Sequence, residues 1–122
     1  MTIKANCHCG AVKLEVPNLP EKFLECNCST CGRYGAKWAY YPPEDVKVIT
    51  EPDGTQAYIW GDKDLAFHHC KNCGCMTHYT TTEKYDKPKV ALNGRMLTDR
   101  KQLDSIPSRH FDGRETWTFV EE

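Results

Sequence analysis

Eight cysteines in three short clusters constrain this 122-residue chain more than any other feature of its sequence. The clusters read C-x-C-G, C-x-C-x-x-C and C-x-x-C-G-C along the chain. They contain Cys7 and Cys9, then Cys26, Cys28 and Cys31, and finally Cys70, Cys73 and Cys75. Thiols at this spacing are typical of metal ligands, and scattered buried thiols rarely produce it. The sequence therefore predicts a metal-binding protein.

The cellular location bears on what the cysteines do. The N-terminal segment MTIKANCHCG lacks the apolar stretch of a secretory signal, and no apolar run approaches the roughly 18 residues of a membrane span. We therefore expect a cytoplasmic protein with no membrane partner, in which clustered cysteines bind metal or catalyse more often than they form disulfides. The formal net charge of −1 and the dispersed basic residues predict no nucleic-acid partner and leave the oligomeric state open.

Four of the cysteines predict a closed structural zinc site. In the third cluster, C-x-x-C followed by Gly74 is a zinc knuckle, whose turn aims two sulfurs the same way. A C-x-C pair on an extended segment also places both side chains on one face. The first pair and the knuckle together give the four thiolates of a structural zinc, namely Cys7, Cys9, Cys70 and Cys73.

The remaining C-x-C-x-x-C cluster has three ligands and no obvious fourth. Three protein ligands and a vacant position are typical of a catalytic zinc, here at Cys26, Cys28 and Cys31. Three thiolates favour a further soft ligand, so we predict that a substrate thiol takes the fourth position and then attacks an electrophilic carbon such as an aldehyde carbonyl. Two alternatives are metal-free redox-active thiols and closure of the site by a protein ligand, which would be Cys75, His8, His68, His69 or His78.

The fold class follows from short alternating runs separated by turn signals. Seven runs predict strands, at 11–16, 36–42, 46–50, 55–61, 65–70, 75–80 and 88–93. This rhythm predicts a single mainly β domain over residues 1–122, a sandwich or partly open barrel with little helix. Ser29 is expected to cap one helical turn. Because the chain has only 21 Leu, Ile, Val and Phe residues, metal must help to stabilise the core.

Four segments together resemble the family of glutathione-dependent formaldehyde-activating enzymes and centromere protein V. They are CHCGAVKLEV, ECNCSTCGRYGAKWAYYP, HHCKNCGCMTHY and the pair NGRMLTD and IPSRHFDG. The resemblance runs from residue 5 to about residue 113. It implies a β fold shared with B-type methionine sulfoxide reductases and two zincs per chain, held by the four-cysteine and three-cysteine sets above. Cys75 lies outside the family pattern.

The implied reaction is addition of glutathione to formaldehyde. It forms the carbon–sulfur bond that a carbon–sulfur lyase breaks. Glutathione carries two carboxylates, so Arg33 and Arg95 are candidate substrate-binding residues. Aromatic side chains at Trp38, Tyr40 and Tyr41 are expected in the pocket wall or in the core. His110 is a candidate general acid or base, with a structural hydrogen bond to Asp112 as its alternative role.

Two functions of different classes remain in competition. The first is a zinc-dependent carbon–sulfur lyase-type enzyme that handles glutathione or a related thiol adduct. The second is a non-catalytic module for protein interaction, in which both zincs are structural.

Overall fold

Short strands bounded by glycine, proline and aspartate turns make up most of the chain. We describe a computed structural model, which covers residues 2–120. Its strands are β1 (Ile3–Asn6), β2 (Lys13–Val16), β3 (Phe23–Cys26), β4 (Trp38–Tyr41), β5 (Lys47–Ile49), β6 (Thr55–Tyr58), β7 (Leu65–Cys70), β8 (Met76–Thr81), β9 (Val90–Asn93), β10 (Ser108–Asp112) and β11 (Thr118–Phe119). The helices are α1 (Ser29–Tyr34) and α2 (Arg100–Ser105), with 3₁₀ turns at Pro43–Asp45 and Gly94–Met96.

The strands form two open sheets. The smaller sheet has the order β1-β2-β5, and the larger has the order β11-β10-β3-β4-β9-β8-β7-β6. Strand β10 runs parallel to β3, whereas the other paired strands are antiparallel. Neither sheet closes on itself, so the prediction of a mainly β, partly open fold with little helix is confirmed.

Both sheets contribute to one hydrophobic core. Leu14 of the smaller sheet packs in the same buried cluster as Phe23 and Leu92 of the larger sheet, together with Cys7 and Cys70. On this ground we propose that residues 1–122 form one domain. A second buried cluster lies on the larger sheet and is mostly aromatic, with Trp38, Phe67 and Tyr79 at its centre. Within the described residues, no helix is long and apolar enough to cross a membrane.

All seven predicted strands are present, with shorter bounds at most ends. The sequence interpretation missed β1, β3, β10, β11 and helix α2. Helix α2 begins after Asp99, whose carboxylate accepts a hydrogen bond from the backbone N–H of Lys101 at 3.0 Å. This capping signal was available in the sequence.

Helix α1 corrects one local prediction. The residue that caps it is Cys28 and not Ser29, because the sulfur of Cys28 accepts a hydrogen bond from the backbone N–H of Cys31 at 3.3 Å. The helix ends at Gly35, whose φ of 62° is the left-handed conformation that glycine adopts readily. Cys28 of the second cluster therefore also fixes the start of the helix that contains Cys31, the next cysteine of that cluster.

Two histidines stack on the larger sheet. The rings of His68 and His78 lie 4.5 Å apart and within 6° of parallel, and Nδ1 of His78 is 2.8 Å from the hydroxyl of Thr77. Burial, with a smaller effect from His68, lowers the pKa of His78 to about 3 from an ordinary value of 6.5. His78 therefore stays neutral in the folded chain, whereas it takes up a proton below pH 6.5 in the unfolded chain.

The stabilising contribution of neutral His78 is complete above pH 6.5 and is lost as the pH falls towards about 3. We expect this residue alone to lower the free energy of unfolding by up to about 1.4 kcal/mol per pH unit in that range. Chemical unfolding between about pH 7.5 and about pH 5 measures this slope, which should be shallower in His78→Asn. Equal slopes in the wild type and in His78→Asn would contradict the assignment.

Candidate metal centres

The four-cysteine cluster joins the two sheets. Cys7 follows β1, Cys70 ends β7, and Cys9 and Cys73 lie in the turns after them. All four sulfurs lie within 4.8 Å of one another, with Cys9 3.6 Å from both Cys7 and Cys70. Four thiolates about 2.3 Å from a tetrahedral zinc lie roughly 3.8 Å apart, so this arrangement fits the ion.

The two turns of this cluster are built alike. The backbone N–H of Gly10 donates to the carbonyl of Cys7 at 3.1 Å, and that of Gly74 donates to the carbonyl of Cys70 at 2.9 Å. Both glycines have a positive φ, 83° for Gly10 and 81° for Gly74. Since residues with a Cβ avoid this conformation, a glycine after each ligand pair allows the tight turn.

Backbone N–H groups surround the four sulfurs. Val12 donates to the sulfur of Cys7 at 3.3 Å, and Cys73 donates to the sulfur of Cys70 at 3.5 Å. The N–H groups of Cys75 and Cys9 lower the pKa of the Cys73 thiol to about 5, whereas burial raises the pKa of Cys7 to about 11. Cys73, at the exposed side of the site, thus favours the thiolate form. Cys7, at the buried side, needs a bound cation to remain a thiolate.

The three-cysteine cluster lies at the junction of β3 and α1. Cys26 ends the strand, Cys28 caps the helix and Cys31 lies in its first turn, with the three sulfurs within 4.8 Å of one another. Burial, reinforced by the negative charge of Cys28, raises the pKa of Cys31 to about 12. A divalent cation would offset this cost, and a purely thiolate donor set suits a soft ion such as Zn²⁺.

Trp38 of β4 belongs to the buried aromatic cluster against which Cys31 packs. Its indole N–H is buried and makes no hydrogen bond at ordinary distance with the described residues. The indole nevertheless acts to lower the pKa of Cys31, against the larger effect of burial, which raises it. N–H groups near ligand sulfurs stabilise their negative charge.

The loop after β10 is fastened to the middle of the C-x-C pair. Asn27 donates from its amide nitrogen to the carboxylate of Asp112 at 3.1 Å, and its amide oxygen accepts from the backbone N–H of Arg114 at 3.0 Å. Asp112 also accepts from the backbone N–H and the hydroxyl of Thr116 at 3.2 and 2.9 Å. The bonds from Asn27 and Thr116 hold the pKa of Asp112 at about 2.

These contacts give the HFDG segment a role that the sequence did not reveal. The Asp112 carboxylate accepts hydrogen bonds from Asn27, Glu115 and Thr116 and thereby holds this loop. His110 is exposed and lies one residue before Phe111 on β10, so the two side chains point to opposite faces. Since Phe111 faces the cavity described below, the position of His110 does not support a role as acid or base there.

Gly113 is the closest approach between this loop and a metal ligand. A Cβ at this position would lie 2.6 Å from the sulfur of Cys26 and 3.2 Å from the Cβ of Cys28. Burial raises the pKa of the Cys26 thiol, and the backbone N–H of Gly113 acts in the opposite direction. The loop and the cluster are therefore fitted to each other.

A fourth protein ligand is absent from the second cluster within residues 2–120. Cys75 interacts with Cys73 and with the backbone of His8, beside the four-cysteine cluster. His69 is bonded to the hydroxyl of Tyr34 at 2.9 Å, and His68 to that of Thr80 at the same distance. His78 bonds to its neighbour Thr77, as described above. The candidates for a fourth ligand therefore either bond to other residues or lie beside the four-cysteine cluster.

The three-cysteine cluster opens into a cavity of about 880 Å³. Its charged lining residues are Arg33, Lys89, Arg114, Asp62 and Asp64. Nine of the thirteen aromatic residues of the chain face it, namely Trp38, Tyr40, Trp60, Phe67, Tyr79, Tyr85, Phe111, Trp117 and Phe119.

The predicted substrate residues divide into two groups. Arg33, Trp38 and Tyr40 line the cavity, although Arg33 also donates to the carbonyl of Ser29 at 2.9 Å. Arg95 donates from Nε to the carbonyl of Gly35 and is not among the described residues that line the cavity. Tyr41 is buried in the other core cluster, where its hydroxyl donates to the carbonyl of Asn18 at 2.8 Å.

Other cavity residues were not singled out from the sequence. Lys89 and Arg114 are the cations that it missed, and the ammonium of Lys89 lies 4.8 Å from the ring centre of Tyr40. No motif marks these positions, since they come from strand ends far apart in the chain.

The fold and the two clusters define a class of protein, a small open β protein with one four-cysteine centre between its two sheets and one three-cysteine centre facing a cavity. The family model described as glutathione-dependent formaldehyde-activating enzyme matches residues 2–111. The chain belongs to this family, which confirms the resemblance drawn from its motifs. Family membership implies glutathione-dependent activation of formaldehyde and is consistent with zinc at the cysteine groups.

A solved structure supports the same assignment of fold. It is the crystal structure of a protein from Rhodobacter sphaeroides, with a TM-score of 0.71 and 28% sequence identity. The match covers 87% of this chain and 99% of that chain. Among curated proteins, none matches the chain.

The two clusters should differ in what they contribute to folding. We expect Cys73→Ser to remove one metal equivalent and to lower the free energy of unfolding by several kcal/mol, because its cluster joins two sheets through the core. Cys28→Ser should remove the other equivalent at a cost of less than about 1 kcal/mol, since a serine hydroxyl also caps a helix. Metal analysis and chemical unfolding measure both effects, and equal destabilisation would contradict separate roles.

The fit of Gly113 against the second cluster gives a further test. We expect Gly113→Ala to weaken metal binding at that cluster by about tenfold or more, because the added methyl group would overlap the sulfur of Cys26. Gly35→Asn is the matched control, since a side chain there meets open space and asparagine tolerates the left-handed conformation. Competition titration with a chromogenic chelator measures both affinities, and an unchanged affinity in Gly113→Ala would contradict the close fit.

Proposed function

We propose that this protein is a zinc-dependent carbon–sulfur lyase-type enzyme, which takes glutathione or a related thiol as the fourth ligand of the three-cysteine zinc. The observation that carries the proposal is the placement of Cys26, Cys28 and Cys31 at the wall of the large cavity, without a fourth protein ligand among the described residues. A structural site is normally closed by four protein ligands, whereas an open position facing a cavity is suited to a substrate.

The three cysteines would hold the zinc, and the ion when bound would supply a position that takes a thiol in its thiolate form. The chain supplies the surroundings of that position. Trp38 packs in the same buried cluster as Cys31, and the loop fixed by Asp112 brings the backbone of Gly113 against Cys26. These contacts keep the three cysteines in place without movement at the moment of reaction.

Three cations face the cavity and match a substrate with two carboxylates. Arg33 lies on α1 two residues beyond Cys31, and Arg114 follows Gly113 in the fastened loop. Lys89 lies over the rings of Tyr40 and Tyr85, and burial lowers its pKa. An ammonium in that setting gains from a carboxylate partner, so we propose Arg33, Arg114 and Lys89 as the residues that bind the peptide carboxylates.

The proposed reaction is the addition of a thiol to an aldehyde. The sulfur forms a bond to the carbonyl carbon, the π pair moves to oxygen, and that oxygen takes up a proton equivalent to the one the thiol released. The reverse step breaks the carbon–sulfur bond and returns thiol and aldehyde. The reaction needs no oxidant or reductant, and cytoplasmic glutathione would supply the thiol.

The competing function is a protein-interaction module with two structural metals. The cavity argues against it, because a closed structural site has no need of an 880 Å³ space beside its ligands. The four-cysteine cluster alone fulfils the structural role, since it lies between the two sheets.

Added glutathione should change the coordination of zinc. For the protein with two zincs, X-ray absorption should show an increase in the mean number of sulfur ligands, because one thiol joins the open site while the four-cysteine site stays unchanged. The Cys28→Ser variant, which lacks the second site, should show no change. Two sites already saturated with sulfur and indifferent to glutathione would contradict the enzyme and favour the interaction module.

A further inference from the structure

The aromatic residues around the three-cysteine cluster exceed what a one-carbon aldehyde requires. We infer that the cavity binds thiol adducts whose carbonyl-derived part carries an aromatic ring, so that the substrate class is adducts of glutathione-like thiols with aromatic aldehydes. This inference rests on the proposed function for its reaction, but the evidence for it lies in the walls of the cavity.

One wall of the cavity is a packed aromatic cluster that contacts Cys31. Trp38 and Tyr79 meet edge to face with ring centres 4.8 Å apart, and Phe67 packs on Tyr79 at 5.3 Å. Cys31 packs against this same cluster. An apolar group attached next to a sulfur at the open position would therefore lie beside these rings.

A second aromatic group approaches from the other side of the same cysteines. Phe111 makes edge contacts with both Trp117 and Phe119, at 5.1 and 5.0 Å. The ring of Trp117 comes within 3.4 Å of the position where Gly113 would carry a Cβ, and that position is 2.6 Å from the sulfur of Cys26. The two aromatic groups thus both adjoin the cluster, one through Cys31 and the other through Cys26.

The position of Trp117 is unusual for a large side chain. Its φ is 57°, a conformation in which bulky residues are rare, and its side chain is 70% exposed. Its backbone N–H donates to the carbonyl of Asp112 at 2.7 Å, and the backbone N–H of the preceding Thr116 donates to the Asp112 carboxylate at 3.2 Å, so the segment is held there. Strained residues held in this way concentrate at ligand sites, and an exposed tryptophan at a cavity rim is suited to cover an apolar ligand.

The chemistry of the walls decides between ligand classes. Formaldehyde adds only a hydroxymethyl group to glutathione, and neither partner has a ring. Arg33, Arg114 and Lys89 account for the carboxylates of a peptide thiol. They leave unexplained the exposed rings of the cavity lining, which are those of Tyr40, Trp60 and Trp117. An aromatic ring next to the sulfur provides an apolar partner for these rings, because rings stack and meet edge to face at the distances found here.

Two thioethers of glutathione test the inference without any need for a metal–thiolate bond. They are S-benzylglutathione and S-methylglutathione, which differ only in the aromatic ring. Titrated into the zinc-loaded protein by calorimetry, the benzyl compound should bind at least about tenfold more tightly. Because all three tryptophans line the cavity, it should also change the tryptophan fluorescence.

Two matched variants test whether Trp117 causes the preference for the benzyl thioether. Trp117→Asn should remove most of the tenfold difference, and asparagine accepts the positive φ, so the fold is retained. Tyr58→Ala also removes an exposed ring, at a position outside the described lining of this cavity, and should leave the difference unchanged. Equal binding of the two thioethers to the wild type would overturn the inference.

The result separates this inference from the proposed function. Equal binding of the thioethers, with glutathione still changing the zinc coordination, would overturn the aromatic substrate class alone. A benzyl preference that disappears in Trp117→Asn, without any change of zinc coordination by glutathione, would support the aromatic site while the proposed use of the metal fails. If both hold, rates of adduct formation from glutathione should favour benzaldehyde over formaldehyde in kcat/KM.

Discussion

The four-cysteine cluster is the constraint on which the rest of the structure depends. It draws the end of β1 to the end of β7, and so fixes the smaller sheet on the larger one. The chain has few aliphatic residues, and Cys7 and Cys70 occupy places in the core that larger apolar side chains would otherwise fill. A metal at this point would replace part of the missing hydrophobic stabilisation with coordination bonds, as small metal-binding domains commonly do.

The three-cysteine cluster differs from the four-cysteine cluster in its surroundings. The three-cysteine cluster packs on one side against the aromatic cluster of the larger sheet and on the other against the loop that follows β10. Asn27, between two of the cysteines, fastens that loop by bonds to Asp112 and Arg114. The cluster therefore has a rigid frame without a fourth protein ligand among the described residues, and this combination distinguishes it from the closed centre.

Local features of the sequence were sufficient for much of this description. Alternation gave the strands, and the spacing of the cysteines gave both ligand groups, because these signals act over a few residues. The helix cap at Cys28 was missed because cysteine is not among the usual capping residues. The role of Asp112, the loop contacts of Arg95 and the nine aromatic residues of the cavity depend on pairings between distant strands, which periodicity does not specify.

The parallel pairing of β10 with β3 has a consequence for the order in which the protein is made. The ligands of the four-cysteine centre have all been synthesised once residue 73 is added, so that centre can close on a growing chain. The loop at 112–117, which lies against residues 26–31 in the folded chain, is synthesised only near the end of translation. It is positioned there by the pairing of β10 with β3 and by the bond between Arg114 and Asn27. The four-cysteine centre therefore has its complete ligand set before the three-cysteine centre gains the loop that lies against it in the folded chain.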